Sequence, residues 1–229
     1  MQQTNPNAIN ELWEAAVERL PRFSPTEQEV GLVLLAELAR GEAVSPAQLG
    51  RVLGVAEDKA ATYMHDSALS FAVHSNEEGS AQGFFGLSTV PTDHRFEVNG
   101  YTMWTWCAAD TLFLPELLDA IASVDSKDPV TGMSIQLAVT PAAVESVDPD
   151  TAVVSMNSPH TWETTSAVRL ITTACHYIHF FDSQESGRKW TDTHPGTVLI
   201  SVGDAFDYGK GQNQQMFGAA LAKGVSGSR

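Results

Sequence analysis

A chain of 229 residues, 43% of them hydrophobic, has room for one large domain or a small and a medium one, and enough apolar content for a real core. Its 28 acidic and 13 basic residues leave a net charge of −15, which repels a phosphate backbone and argues against nucleic acid and against a basic membrane-surface role. No apolar run approaches the length of a membrane span, and the N-terminus lacks the basic region and apolar core of a secretory signal, so a cytoplasmic location and two reduced cysteines are expected.

The first few residues are polar and read as frayed. Ile9, Leu12, Trp13, Ala16, Val17 and Leu20 recur at helical spacing until Pro21. Ser24-Pro25-Thr26-Glu27 is a capping sequence, with Glu27 three residues after the Ser24 cap, and predicts a helix to about Ala39. Ser45-Pro46 opens a shorter helix ended by Gly54, and Glu57 to about Ser67 reads as a third. With short strands at Phe71–Val73 and Gly83–Thr89, this cluster has the outline of a winged helix. Its last helix begins Glu57-Asp58 and carries one lysine, Lys59, whereas a recognition helix needs basic and amide side chains. A transcriptional regulator is therefore a weak competitor, and the cluster is expected to be structural.

From Gly83 the chain becomes β-rich. Asn99-Gly100 marks a hairpin. Leu112 to Ile121 reads as a helix interrupted by Pro115, Val130-Thr131-Gly132 as a turn, and Met133 to Val139 as a strand. Thr140-Pro141 starts an expected helical turn closed at Val147-Asp148-Pro149, Ala152 to Met156 is a short strand, and Ser158 to Thr165 a loop. Thr173 to Phe181 is aromatic and β-branched and is read as a strand. Ser183 to Thr191 is an amphipathic helix capped by Ser183, Val198 to Val202 a strand, and Gly203 to Lys210 leads into a last helix, followed by a tail from Gly224 read as flexible.

The two cysteines lie in two of these segments. Tyr101-Thr102-Met103-Trp104-Thr105-Trp106-Cys107-Ala108-Ala109-Asp110 runs from a strand into a helix start. A helix N-terminus at Cys107 favours a thiolate, and the i, i+3 spacing sets Asp110 beside its sulfur. The alternative is a buried core cysteine preceding a helix-start aspartate. Cys175 stands in Thr173-Ala174-Cys175-His176-Tyr177-Ile178-His179-Phe180-Phe181. On a strand, His179 would share the face of Cys175 and His176 would not. With no C-x-x-C pair and too few ligands, zinc is disfavoured, and His179 is read as a hydrogen-bonded core histidine.

W-C-A-A-D and C-x-x-I-H-F-F in this order, with F-E-V-N-G-Y before, F-L-P-E-L-L after, and V-L-I-S-V-G-D-A-F near the end, resemble the alkylmercury lyase family of bacterial mercury resistance, from about Val30 to about Gly209. The resemblance implies that Cys107, Asp110 and Cys175 cleave a carbon–mercury bond and hold the Hg(II) product. It implies no organic cofactor, release of the ion to external thiols, and hand-off to a mercuric reductase. The absence of a Gly-rich dinucleotide or phosphate loop agrees. Trp106 is a candidate wall for the organic group. Many members carry further cysteines beside the second one and shortly before the T-G turn. Here Ala174 or His176, and Asp128, occupy those places.

The expected architecture is α+β. A winged-helix-like helical domain over 1–82, not binding DNA, precedes a catalytic domain over 83–229 with a mixed or antiparallel sheet and flanking helices. The expected function is protonolysis of alkyl- or aryl-mercury to hydrocarbon and Hg(II). The alternative is a non-catalytic binder of Hg(II) or Cu(I) with the same fold, for which Asp110 would have no purpose.

Overall fold

The computed structural model describes residues 6–227. The polar opening of the chain and the last residues of the tail lie outside the described residues. Four helices come first: α1 (Pro6–Arg19), α2 (Pro25–Leu38), α3 (Pro46–Leu53) and α4 (Glu57–His65). Capping fixes two of these starts. The Ser24 hydroxyl accepts the Glu27 N–H while the Glu27 carboxylate accepts the Ser24 N–H, and the Ser45 hydroxyl accepts the Gln48 N–H. Gly54 ends α3 in the left-handed region, at φ 68°.

An antiparallel sheet of eight strands comes next. In chain order they are β1 (Val73–Ser75), β2 (Ala81–Phe84), β3 (Leu87–Ser88), β4 (His94–Val98), β5 (Tyr101–Thr105), β6 (Ala122–Lys127), β7 (Ser134–Val139) and β8 (Val144–Asp148). Their spatial order is β1-β2-β3-β5-β4-β6-β7-β8. Asn99 and Gly100, at φ 52° and 81°, turn the β4–β5 hairpin, as that dipeptide predicts. The sheet is continuous across residue 82, which lies within β2, and one apolar cluster joins the helices to the sheet. Phe217 of α8 (Val202–Gly227) sits 5.3 Å from Phe23 and 5.0 Å from Phe85, and Phe85 sits 5.6 Å from Phe113 (centroid to centroid). Phe113 belongs to α5 (Asp110–Leu118), so these rings tie the α1–α2 connection and the last helix to the middle of the chain.

The second sheet is small. Central β9 (Val153–Asn157) is flanked by β10 (Phe180–Phe181) and β11 (Thr197–Ser201), both antiparallel to it. Between β9 and β10 lie α6 (Ala167–Thr173) and a single 3-10 turn, Cys175–Tyr177. The expected strand over Thr173 to Phe181 is thus reduced to its last two residues. The Ser166 hydroxyl caps α6 by accepting the Arg169 N–H, and the Ala174 N–H continues to the Leu170 carbonyl, so the backbone is already satisfied helically before Cys175. The expected helical turn after Thr140 is instead the edge strand β8, paired with β7. β6, for which the sequence pattern predicts no element, is the strand joining the hairpin to β7. The amphipathic helix is α7 (Gln184–Thr191), and the last helix is longer than Gly203 to Lys210. Among the described residues no helix is long and apolar enough to cross a membrane.

Candidate active site

Cys107 leaves the end of β5 on a short irregular segment, and helix α5 starts at Asp110. The sulfur therefore precedes the helix rather than capping it. The adjacency to Asp110 is nonetheless close, because the Cys107 N–H donates to Asp110 Oδ2 at 2.8 Å. The segment is held on both sides. The Thr105 hydroxyl donates to the Cys107 carbonyl (2.8 Å), and the Trp106 N–H donates to the Gly86 carbonyl (2.8 Å).

Cys175 opens its 3-10 turn. Buried Ser155 of β9 locks the residues just after it. Its hydroxyl donates to the Tyr177 carbonyl (2.8 Å) and accepts the His179 N–H (3.0 Å). The Ile178 carbonyl then accepts the Ala108 N–H at 3.2 Å, joining the two cysteine segments directly. No sequence pattern marks Ser155 for this role, since its partners are 22 and 24 positions away.

These ties bring three ligand atoms, one each from Cys107, Asp110 and Cys175, within 4.8 Å of one another, all buried. Both cysteines are free thiols. The cluster opens into a cavity of about 50 Å3, walled by Phe85, Trp106, Phe113, Met156 and Ile178 among others. Leu20 and Phe71, from the N-terminal part of the chain, also line it. Trp106, the residue expected to wall the organic group, lines this cavity.

Burial sets the protonation states. It pushes the Asp110 carboxyl up to about 7, against hydrogen bonds from the Cys107 thiol and from the N–H groups of Cys107 and Trp106 that favour the carboxylate. Cys107 is pushed well above its ordinary value, first by burial and then by the neighbouring Cys175 and Asp110. For Cys175, a hydrogen bond from Cys107 favours the thiolate, but burial and the Asp110 charge outweigh it and the net shift is upward. The expected helix-start thiolate at Cys107 is therefore replaced by a buried thiol. Its N–H is spent on the Asp110 side chain, and α5 takes Ala109, not Cys107, as its N-cap.

Gly86 is a component of the site that the sequence motifs do not include. A Cβ there would stand 2.5 Å from Asp110 Cγ and 2.6 Å from Oδ1, and its φ is +95°. The available signal is a glycine between apolar residues in Phe84-Phe85-Gly86-Leu87, which marks a close approach. His179 is half-buried and bonds through Nε2 to the His176 carbonyl at 2.9 Å. The strand argument that faced it toward Cys175 does not apply, and neither histidine belongs to the three-residue cluster.

Comparison with known proteins places the chain in a family. Residues 87–212 match the alkylmercury lyase family, MerB. An alkylmercury lyase of Bacillus cereus is 36% identical over 177 residues, 77% of each chain. One of Pseudomonas putida is 36% identical over 178 residues, 78% of this chain and 80% of that one. One of Staphylococcus epidermidis is 40% identical over 139 residues, 61% and 62%. The fold resembles a crystal structure of the mercury-bound form of MerB2, with a TM-score of 0.73 at 22% identity, covering 90% of this chain and 98% of that one. The chain belongs to the alkylmercury lyase family and is an organomercurial lyase, an enzyme that cleaves the carbon–mercury bond.

Proposed function

We propose that Cys107, Cys175 and Asp110 carry out this cleavage and hold the Hg(II) that it leaves. The observation that supports the assignment most strongly is the convergence of two sulfurs and one carboxyl within 4.8 Å, buried against an apolar cavity. Thiolates select soft metals, so the substrate's mercury is drawn to the sulfurs and its organic group to the apolar wall at Trp106.

The steps balance without a redox partner. One cysteine thiol bonds to the mercury of R–Hg–X, and X leaves with the thiol proton. The second thiol passes its proton to the ionised Asp110 as its sulfur joins the metal. Two thiolates weaken the Hg–C bond by donating electron density to mercury. Asp110 then protonates the carbon, R–H leaves, and Hg(II) remains between the cysteines. A carboxyl near pH 7 suits both halves of this task, since it accepts and returns a proton at little cost. No organic cofactor is invoked. A passive Hg(II) or Cu(I) binder needs the sulfurs but not a carboxyl with this protonation, which favours the enzymatic reading.

In this scheme the N-terminal part, to about residue 82, is a winged-helix-like unit that walls the site through Leu20 and Phe71. Its last helix begins with Glu57 and Asp58, so no DNA contact is assigned to it. The remainder is the catalytic part, working in the cytoplasm and passing Hg(II) to external thiols or a mercuric reductase. The test is incubation of reduced protein with phenylmercuric acetate and excess thiol, scored by benzene. Cys107→Ser, Cys175→Ser and Asp110→Ala are each expected to lose benzene release. Wild-type release from Asp110→Ala would remove the carboxyl from the scheme.

A further inference from the structure

Trp106 and Cys175 each have a second side. Besides the inner cavity, both line a separate cleft of about 310 Å3 whose walls include His74, Asp93, His176 and His179. Asp93 and His176 are exposed, so this cleft opens to the surface. Cys107 and Asp110 line the inner cavity and not the cleft. Cys175 is therefore the member of the cluster that faces both.

The cleft's lining is the more polar of the two. Apart from the reacting groups and Tyr208 and Gln212, the inner wall is aliphatic and aromatic, whereas the cleft adds imidazoles and the Asp93 carboxylate to the apolar surface of Trp106, Val90 and Ile171. An organic group partitions to the first and a small polar molecule to the second. Hg(II) held by two thiolates leaves by exchanging one sulfur ligand for another, because a soft ion has no comparable partner in water.

We propose that the histidine-lined cleft is the docking site for a small-molecule thiol that draws Hg(II) off Cys175, while the inner cavity serves the organic group. The proposal rests on the catalytic assignment, in which Cys107 and Cys175 hold the ion. In the first exchange the incoming sulfur bonds to Hg(II), the bond from Hg(II) to Cys175 Sγ breaks, and the thiol's proton passes to that Sγ. A second thiol repeats the exchange at Cys107, which becomes reachable once Cys175 has let go. Oxidation states do not change. Asp93 at the mouth disfavours thiols that carry negative charge.

The test loads Hg(II) directly onto the reduced protein and follows its removal by 2-mercaptoethanol and by the dianionic thiol mercaptosuccinate. Val90 lines the cleft and is 40% exposed, so Val90→Trp fills it. Relative to single-turnover benzene release by the same variant, Hg(II) removal is expected to slow by at least about tenfold, an added barrier of about 1.4 kcal/mol. Val52→Trp, at an exposed position on α3, is the control and is expected to change neither. Asp93→Asn is expected to raise the mercaptosuccinate rate relative to the 2-mercaptoethanol rate. Wild-type Hg(II) removal by Val90→Trp, a parallel loss of both readouts, or an unchanged thiol ratio in Asp93→Asn would each overturn the proposal. Failure of the catalytic assignment is distinguishable, as benzene release that survives Cys175→Ser.

Discussion

Gly86 lies so close to the Asp110 side chain that a Cβ at residue 86 would overlap it, 2.5 Å from Cγ. The carboxyl thus rests on bare backbone, and its position depends on a residue 24 places earlier in the chain. Gly86→Ala must move that carboxyl and also strain a backbone at φ +95°. We expect a loss of about 1–3 kcal/mol in stability, and benzene release reduced by at least about tenfold because the proposed proton donor is displaced. Hg(II) binding stoichiometry should persist, because both sulfurs remain. Unfolding titrations and single-turnover kinetics on one sample check this, and an alanine variant with unaltered release would refute the packing argument.

Asp110 also gives the protein a pH signature. Its carboxyl ordinarily titrates at 3.8 and here near 7. The folded state therefore holds a proton that the unfolded state has released between those values, so stability from this group is full below about 3.8 and falls as pH rises to about 7. Asp110→Asn removes that dependence. The variant should gain stability relative to wild type across the same window, by an amount on the order of a few kcal/mol. A difference in unfolding free energy that stays flat from about pH 4 to about pH 8 would contradict the raised value.

Asp128 links the β6–β7 turn to the segment beyond Cys175. Its Oδ1 accepts the Val130 N–H (2.7 Å) and the Thr131 N–H (3.1 Å), and its Oδ2 accepts the Asp182 N–H (2.9 Å). Hydrogen bonds alone make this tie. Asp128→Ala leaves these N–H groups without that acceptor and should cost roughly 2–4 kcal/mol. Chemical denaturation reads this directly. A cost below about 0.5 kcal/mol would mean the tie is dispensable.

Tyr208 offers a change in the opposite direction. Its side chain lines the inner cavity, and its hydroxyl is buried with no hydrogen-bond partner among the described residues. Tyr208→Phe removes an unsatisfied polar group and keeps the ring that packs edge-on against Trp13 at 5.9 Å. Stability should stay level or rise by about 1 kcal/mol. A rise in melting temperature with unchanged phenylmercury cleavage is the expected result, and destabilisation beyond about 1 kcal/mol would show that the hydroxyl has a role.

Local chemistry made much of the fold readable. Ser24 with Glu27, Ser45 with Gly54, and the Asn99-Gly100 turn work through neighbours a few residues away, so their elements appear in the sequence itself. The segment from Thr173 to Phe181 was not readable in this way. Its β-branched and aromatic residues suit a strand, but the helix capped at Ser166 runs on into it, and Ser155, distant in sequence, fixes the turn at Tyr177 and His179. The sequence by itself determined which side chains could bind and protonate an organomercurial: two thiols, one acid and the rings around them. Only the tertiary structure decided that positions 107 and 175 meet, that Gly86 sets Asp110, and that burial raises its proton affinity. The reason is physical: identity is local, but distance and solvent exclusion belong to the packed chain.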